Sequence, residues 1–306
     1  MAIKRKPMLF IAGALILTSF IGIAIYAKTK SDSDKKSRSS SSYDKSHKLQ
    51  PNDKPLVDTK QPAKVSTPPL QTIPTPTAPI TTVPALITHP GQLLRLTNWK
   101  LQLPIDTERT GSPDEIKQPE LNSYTDANNF FLNSQLNGVV FRANAGGATT
   151  KNSSYPRSEL REMTSDGRSN ASWTNNSGTH TMTVRQAITH LPDVKDELVA
   201  GQIHDDSDDV IMIRLEGAHL FVESGGKNIG DLATNYNLGT MFTIKMVAEQ
   251  SSIKVYYNDS LKVTTDKNGS GYYFKAGCYT QTNTTKGDSP ASYGEVTIYD
   301  LSVSHT

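Results

Sequence analysis

Cysteine is nearly absent. Cys278 stands alone in 306 residues, so no intramolecular disulfide can form, and a zinc site built on several thiolates is excluded. Aromatic residues make up only 7%, and Trp99 and Trp173 are the sole tryptophans. No long hydrophobic run follows residue 27, which rules out a polytopic membrane protein. Long helical periodicity is missing after residue 93, where only short helical candidates occur near Glu115–Lys117 and Ala127–Phe131. Strong net charge is missing too, but the formal +2 is a cancellation. Residues 1–92 hold 13 Lys and Arg against 5 Asp and Glu, net +8, whereas residues 93–306 hold 19 against 25, net −6. An acidic globular half argues against a nucleic-acid partner.

What is present divides the chain into three. Lys4, Arg5 and Lys6 precede an uncharged stretch in which Met8 to Ala27 spans 20 residues. At about 1.5 Å per residue that length crosses a hydrocarbon core of about 30 Å. Residues 1–27 therefore read as a transmembrane anchor or a signal peptide, with Ile25-Tyr26-Ala27 as a poor cleavage site. Either reading places the rest outside the cytoplasm, membrane-anchored if the segment stays and secreted if it is cut. Residues 28–92 read as a disordered linker: a Ser, Lys and Asp stretch, then ten prolines from Pro51 to Pro90. Such a composition cannot bury enough apolar surface to offset chain entropy. Residues 93–306 form the third part.

There the texture changes to short alternating segments, such as Thr181–Arg185, Val210–Leu215, Phe242–Val247, Ile253–Tyr257 and Glu295–Tyr299. Breakers separate them at Glu216-Gly217, Gly225-Gly226, Asn258-Asp259 and Asn268-Gly269. This pattern predicts an all-β domain of two antiparallel sheets, a sandwich or jelly roll; separately, the domain is expected to be monomeric.

Three of the strand-like segments place polar rows opposite buried ones. With a period of two, Arg157, Glu159 and Arg161 share a face. Gln202 and His204 do the same around Ile203. In the stretch 272–281, Tyr273, Lys275, Gly277, Tyr279 and Gln281 share one face, while Phe274, Ala276 and Cys278 share the other. Gly277 reads as a gap through which a ligand could approach. Taken singly, each row also fits an ion-pair ladder or a solvated strand face. Side by side, the three would make a polar groove.

Arg-Ser-Glu-Leu-Arg at 157–161, Gln-Ile-His at 202–204 and Tyr-Phe-Lys-Ala-Gly-Cys-Tyr-Thr-Gln at 273–281 resemble the three signature regions of the polysaccharide lyase family 7 alginate lyases. Thr97–Pro104 is similar to that family's domain start and Tyr299–His305 to its last strand. The departures are Cys278, where an aliphatic residue is usual, and Thr280, where Asn is common. The resemblance implies a β-jelly roll of two curved sheets with alginate in a concave groove, and no cofactor.

The chemistry explains the residue types. A lyase removes the C5 proton of a 1,4-linked uronate and expels the oxygen at C4. The adjacent carboxylate must first be neutralised so that the developing dianion is stabilised. By resemblance, Arg157, Gln202 and His204 do this. Tyr279 is the matching family tyrosine for proton transfer, with His204 as a second candidate base. Glu159, Arg161, Lys275 and Gln281 are expected to line the groove and hold substrate or orient the catalytic set. The run Asp205–Asp209 reads as a solvated turn rather than a calcium loop. In the enzymes this chain resembles, Ile in Gln-Ile-His accompanies activity on guluronate-containing blocks, so Ile203 leans the expectation towards guluronate or mixed blocks.

Two other classes compete. A glycoside hydrolase needs two carboxylates roughly 5–10 Å apart across the bond, but Glu159 and Glu162 fall on opposite faces of a strand. A surface-anchored, non-catalytic module binding acidic polysaccharide would present exposed aromatics, which are scarce here.

Overall fold

The computed structural model describes residues 86–306. The apolar segment 1–27 and the linker through residue 85 lie outside the described residues. Among those described, no helix is long and apolar enough to cross a membrane.

Among the described residues fifteen strands follow one another: β1 (Trp99–Gln102), β2 (Glu115–Ile116), β3 (Phe130–Leu132), β4 (Val139–Asn144) and β5 (Arg157–Glu162) come first. Next are β6 (Thr179–His190), β7 (Glu197–His204), β8 (Asp209–Glu216), β9 (His219–Ser224) and β10 (Lys227–Ala233). The last are β11 (Phe242–Glu249), β12 (Ser252–Tyr257), β13 (Ser260–Asp266), β14 (Tyr273–Thr280) and β15 (Tyr293–His305). They form an eight-stranded sheet, β10-β9-β8-β7-β14-β5-β1-β2, and a seven-stranded sheet, β13-β12-β11-β6-β15-β4-β3. Every pairing between strands is antiparallel, including β14 with β5 and β7.

Alternation builds the core. Leu160, Ile203, Ile211, Ile213, Phe274, Ala276 and Cys278 of the first sheet meet Met182, Val184, Ile244, Met246 and Val255 of the second. Burial pushes the Cys278 thiol up to about 12, as suits a core residue. The hairpin breakers act through left-handed backbone. Gly225 and Gly226 (φ 58° and 72°) join β9 to β10, and Asn258 and Asp259 (φ 46° and 64°) join β12 to β13.

Both short helical candidates turn out otherwise. Glu115–Ile116 is strand β2, held extended by pairing with Leu101 and Gln102 of β1. At Ala127–Phe131, Asp126 Oδ1 accepts from the Asn128 and Asn129 amides (3.0 and 2.7 Å), and this turn feeds β3. The folded unit also takes in residues ahead of Leu93. Pro90 is buried in a short 3-10 turn, Pro90–Gln92, packed on a second one at Glu120–Asn122.

Candidate active site

Strand β14 runs between β5 and β7, so their polar rows become neighbours. Tyr279 lies opposite Arg157, Gly277 opposite Glu159, and Lys275 opposite Arg161. On the other side Lys275 lies opposite Gln202, and Tyr273 opposite His204. Directly opposed residues share a face. The rows therefore meet on the side of the sheet away from the core, lining a cavity of about 310 Å³. The register slips by one residue between Val199 and Gln202, so Glu197 and Gln202 both reach this side despite their odd spacing.

Glu159 is the floor. It is 1% exposed, and it accepts from Gln202 Nε2 and Lys275 Nζ, both at 2.5 Å, with Arg157 at 3.4 Å. Burial alone would raise its carboxyl, but the Lys275 and Arg157 charges and these hydrogen bonds hold it below the usual carboxylate range. Lys275 is pulled down to about 8 by burial and by Arg157, against the opposing pull of Glu159. Gln202 spends one amide hydrogen on Glu159 and keeps one for a ligand.

Above this floor are the groups with free capacity. Arg157 lays its guanidinium 3.7 Å from the centroid of the Tyr279 ring. Its Nε is buried with no protein partner, an orphan donor suited to an anionic ligand. The Tyr279 hydroxyl is 2.9 Å from Ser153 Oγ. His204 Nδ1 is 2.6 Å from the Asp205 carbonyl and 3.0 Å from the Tyr273 hydroxyl. A carbonyl only accepts, so in the neutral ring Nδ1 carries the hydrogen and Nε2 keeps its lone pair. Burial and then the Lys275 charge hold His204 below the usual imidazole value, outweighing the Asp205 carbonyl. The ring is thus neutral at neutral pH, with Nε2 able to accept a proton.

Not every expected residue belongs equally to this set. Arg161 lines the cavity and stacks 3.8 Å from the Tyr273 ring, but its Nη1 donates to the Glu162 and Ala171 carbonyls. Gln281 lies past the end of β14 and does not line the cavity. Its Oε1 is 3.5 Å from Arg214, which is ringed by Glu197, Glu223 and Glu216. Gly277 is no ligand gap. With φ at 139°, a Cβ there would meet the Ser158 carbonyl at 2.6 Å and the Glu159 Cα at 2.9 Å, so glycine serves close strand packing.

Asp205–Asp209 is a turn, in which Asp205 Oδ1 accepts from the Ser207 and Asp208 amides. Asp206 to Asp209 also wall the cavity, and burial with the Asp208 charge lifts Asp209 to about 6. Among the described residues no three His, Cys, Asp or Glu side chains gather as a metal site. Sequence reasoning missed Ser153, Lys100 and Gln102, all in the cavity wall. Lys100 and Gln102 carried a signal, since they alternate with buried Trp99, Leu101 and Leu103.

An ionic cavity with orphan donors, a neutral imidazole and a phenol, on one face of a two-sheet β domain, suits an enzyme acting on acidic polysaccharide. The family model described as alginate lyase matches residues 94–305. The alginate lyase AlgAT5 of polysaccharide lyase family 7 is 59% identical, with a TM-score of 0.69 over 71% of this chain and 99% of that one. The alginate lyase from Corynebacterium sp. is 47% identical, with a TM-score of 0.69 over 72% and 99%. An alginate lyase of Klebsiella pneumoniae is 26% identical over 287 residues, covering 72% of this chain and 92% of that protein. The chain is a polysaccharide lyase, and it belongs to the family 7 alginate lyases.

Proposed function

We propose that the enzyme cleaves alginate by β-elimination, leaving a 4,5-unsaturated uronate at the new non-reducing end, with guluronate or mixed blocks preferred. The orphan Arg157 donor beside Tyr279 and His204, over the Glu159–Lys275 pair, carries this reading. Arg157 and the remaining Gln202 amide hydrogen bind and neutralise the uronate carboxylate. On guluronate, where the C5 proton and C4 oxygen lie on opposite faces, His204 Nε2 takes the proton. The C5–H pair becomes the C4–C5 double bond, the C4–O bond breaks, and Tyr279 protonates the departing oxygen. On mannuronate both lie on one face, so Tyr279 can serve in both steps. Lys275 and Glu159 hold the set in place.

Relatives support an oligouronate ligand. The family 7 enzyme A1-II', 29% identical with a TM-score of 0.61, has been crystallised in substituted forms with product GGG and with substrate GGMG. The guluronate lean rests on Ile203, which is wholly buried and so acts on substrate only indirectly. The jelly-roll groove, a monomeric catalytic domain and an extracytoplasmic location belong to the same reading. The location is supported by the basic cluster and apolar run of residues 4–27. Sequencing the amino terminus of the mature protein decides between anchor and cleaved signal, and recovery of full-length chain in the cytosolic fraction would contradict both.

The test is absorbance of the unsaturated product on polyguluronate and polymannuronate. Tyr279→Phe should abolish cleavage of both polymers. His204→Asn should lose guluronate cleavage and keep some mannuronate cleavage. Near-normal turnover of Tyr279→Phe on either polymer overturns the roles, and alginate binding with no absorbance rise would mean a binding module.

A further inference from the structure

We propose that Ser153 is a positioning residue for Tyr279, one that turns its hydroxyl to follow the tyrosine's protonation state. The inference rests on Tyr279 acting as the acid.

Among the described residues, Ser153 Oγ is the hydrogen-bond partner of the Tyr279 hydroxyl, at 2.9 Å. Arg157 covers the ring face and Lys275 Nζ is 6.0 Å from its centroid, and neither forms a hydrogen bond to the phenol oxygen. The serine oxygen has one hydrogen and two lone pairs, and three groups compete for them. The Tyr155 amide donates to it at 3.2 Å, the Tyr155 carbonyl accepts from it at 3.2 Å, and Tyr279 is the third. With a neutral phenol the chain closes: Tyr279 donates to Ser153, and Ser153 donates to the Tyr155 carbonyl. Once Tyr279 has passed its proton to the leaving oxygen, the phenolate can only accept. Rotation about the Ser153 Cβ–Oγ bond then delivers the hydroxyl hydrogen to it, and the Tyr155 carbonyl gives up its share. No bond of Ser153 breaks. The loop is held for this, since the Thr280 amide donates to the Pro156 carbonyl (3.1 Å) and Asn283 Nδ2 to the Ser154 carbonyl (2.9 Å).

The groups around Tyr279 stay constant when Ser153 changes. They are Arg157 on β5, Lys275 on its own strand, uncharged Val199 opposite on β7, and Tyr155 with Lys195 over its ring. A shift in pH dependence therefore reports on the serine. In the full chain, Ser153→Ala should lower kcat on guluronate oligomers roughly 10- to 100-fold, the usual worth of a hydrogen bond to a charged group. KM should stay within about 2-fold, because the bond strengthens only as charge develops on the phenol oxygen. The alkaline limb of kcat that lies above the Lys275-dependent fall near pH 8 should move to higher pH, because the phenolate has lost its donor. Ser153→Thr should restore most of the rate. An unmoved limb, a loss carried mainly by KM, or a Thr variant as poor as Ala overturns the proposal. Tyr279→Phe separates the two levels. If Tyr279→Phe is inactive but Ser153→Ala is normal, only the serine role falls; if Tyr279→Phe is active, both fall.

Discussion

Glu159 and Glu162 sit three residues apart on β5, point to opposite faces, and are both almost fully buried. Glu159 faces the cavity, and all its side-chain partners are site residues: Lys275, Gln202 and Arg157. Glu162 faces the end of the core. It accepts from Trp173 Nε1 (3.0 Å), from the Phe274 amide (2.8 Å) and from His305 Nε2 (2.6 Å). His305 continues to His180, Nδ1 to Nδ1 at 2.7 Å, and the His180 ring stacks 4.3 Å from Trp173. This second network ties the last strand, β15, to the strand that carries Arg157. Desolvating a carboxylate costs several kcal/mol wherever it happens. On one face the compensation comes from groups that also line the cavity, and on the other from groups at the end of the core.

Substitutions can sharpen or break that division. The largest effect is expected at Arg157. Arg157→Ala should lower kcat/KM roughly 100- to 1,000-fold, the scale for losing a donor aimed at developing charge, while the thermal midpoint moves little. Arg157→Lys should rescue poorly, because an ammonium cannot present the planar fork or stack on Tyr279. A Lys variant close to native rate would show that charge alone suffices. Gly277→Ala should blur the two faces. Its Cβ would press on the Ser158 carbonyl and Glu159 backbone, with about 3 kcal/mol of lost stability from strain and overpacking. Both denaturant midpoint and turnover should fall together; a stable, active variant would mean the strands can part there.

A smaller effect concerns pH. Folded Lys275 titrates at about 8, below the ordinary lysine value of 10.5. The folded state thus holds fewer protons between those values, and this group's contribution to stability rises with pH across that window. Activity should move the other way, since losing the ammonium leaves Arg157 and Arg161 alone against substrate and Glu159. A fall in kcat/KM near pH 8, absent in Lys275→Met and unaccompanied by lower thermal stability, is the expected result. A limb that survives in Lys275→Met assigns it elsewhere. Salt should matter least. Residues 93–306 are net −6 yet the cavity gathers Lys100, Arg157, Arg161 and Lys275, and a Debye length of about 8 Å at physiological strength screens both the overall repulsion and the local attraction for a polyanion. An activity optimum at intermediate salt follows, and a steady fall from the lowest salt would mean that local attraction dominates throughout.

How much of this was legible depends on parity. On β5 and β14 the period of two holds from Arg157 to Arg161 and from Tyr273 to Tyr279, so the face of each side chain could be read from the chain alone. Gln281 keeps the expected side of the sheet but lies past the end of β14 and outside the cavity, beside Arg214, which is opposite Val199. Glu159 was expected to hold substrate or orient the catalytic set, and its burial commits it to Lys275 and Gln202. Ser153 lies in a loop, where no periodicity marks which side chain will reach the tyrosine. The Glu162–His305 contact joins residues 143 apart in the chain, a proximity that no local pattern encodes.

The most direct measurement takes Glu159→Gln and Glu162→Gln side by side, recording turnover per folded molecule and unfolding free energy for each. Glu159→Gln leaves Lys275 and Arg157 facing each other without their carboxylate and frees Gln202. It should lose roughly 100-fold in turnover with a modest change in stability. Glu162→Gln should lose about 1–3 kcal/mol of stability from its weakened buried hydrogen bonds and keep turnover within about 3-fold of native. Equal losses of turnover in the two variants, or a Glu159→Gln enzyme that is merely less stable, would contradict the division of labour between the two faces of β5.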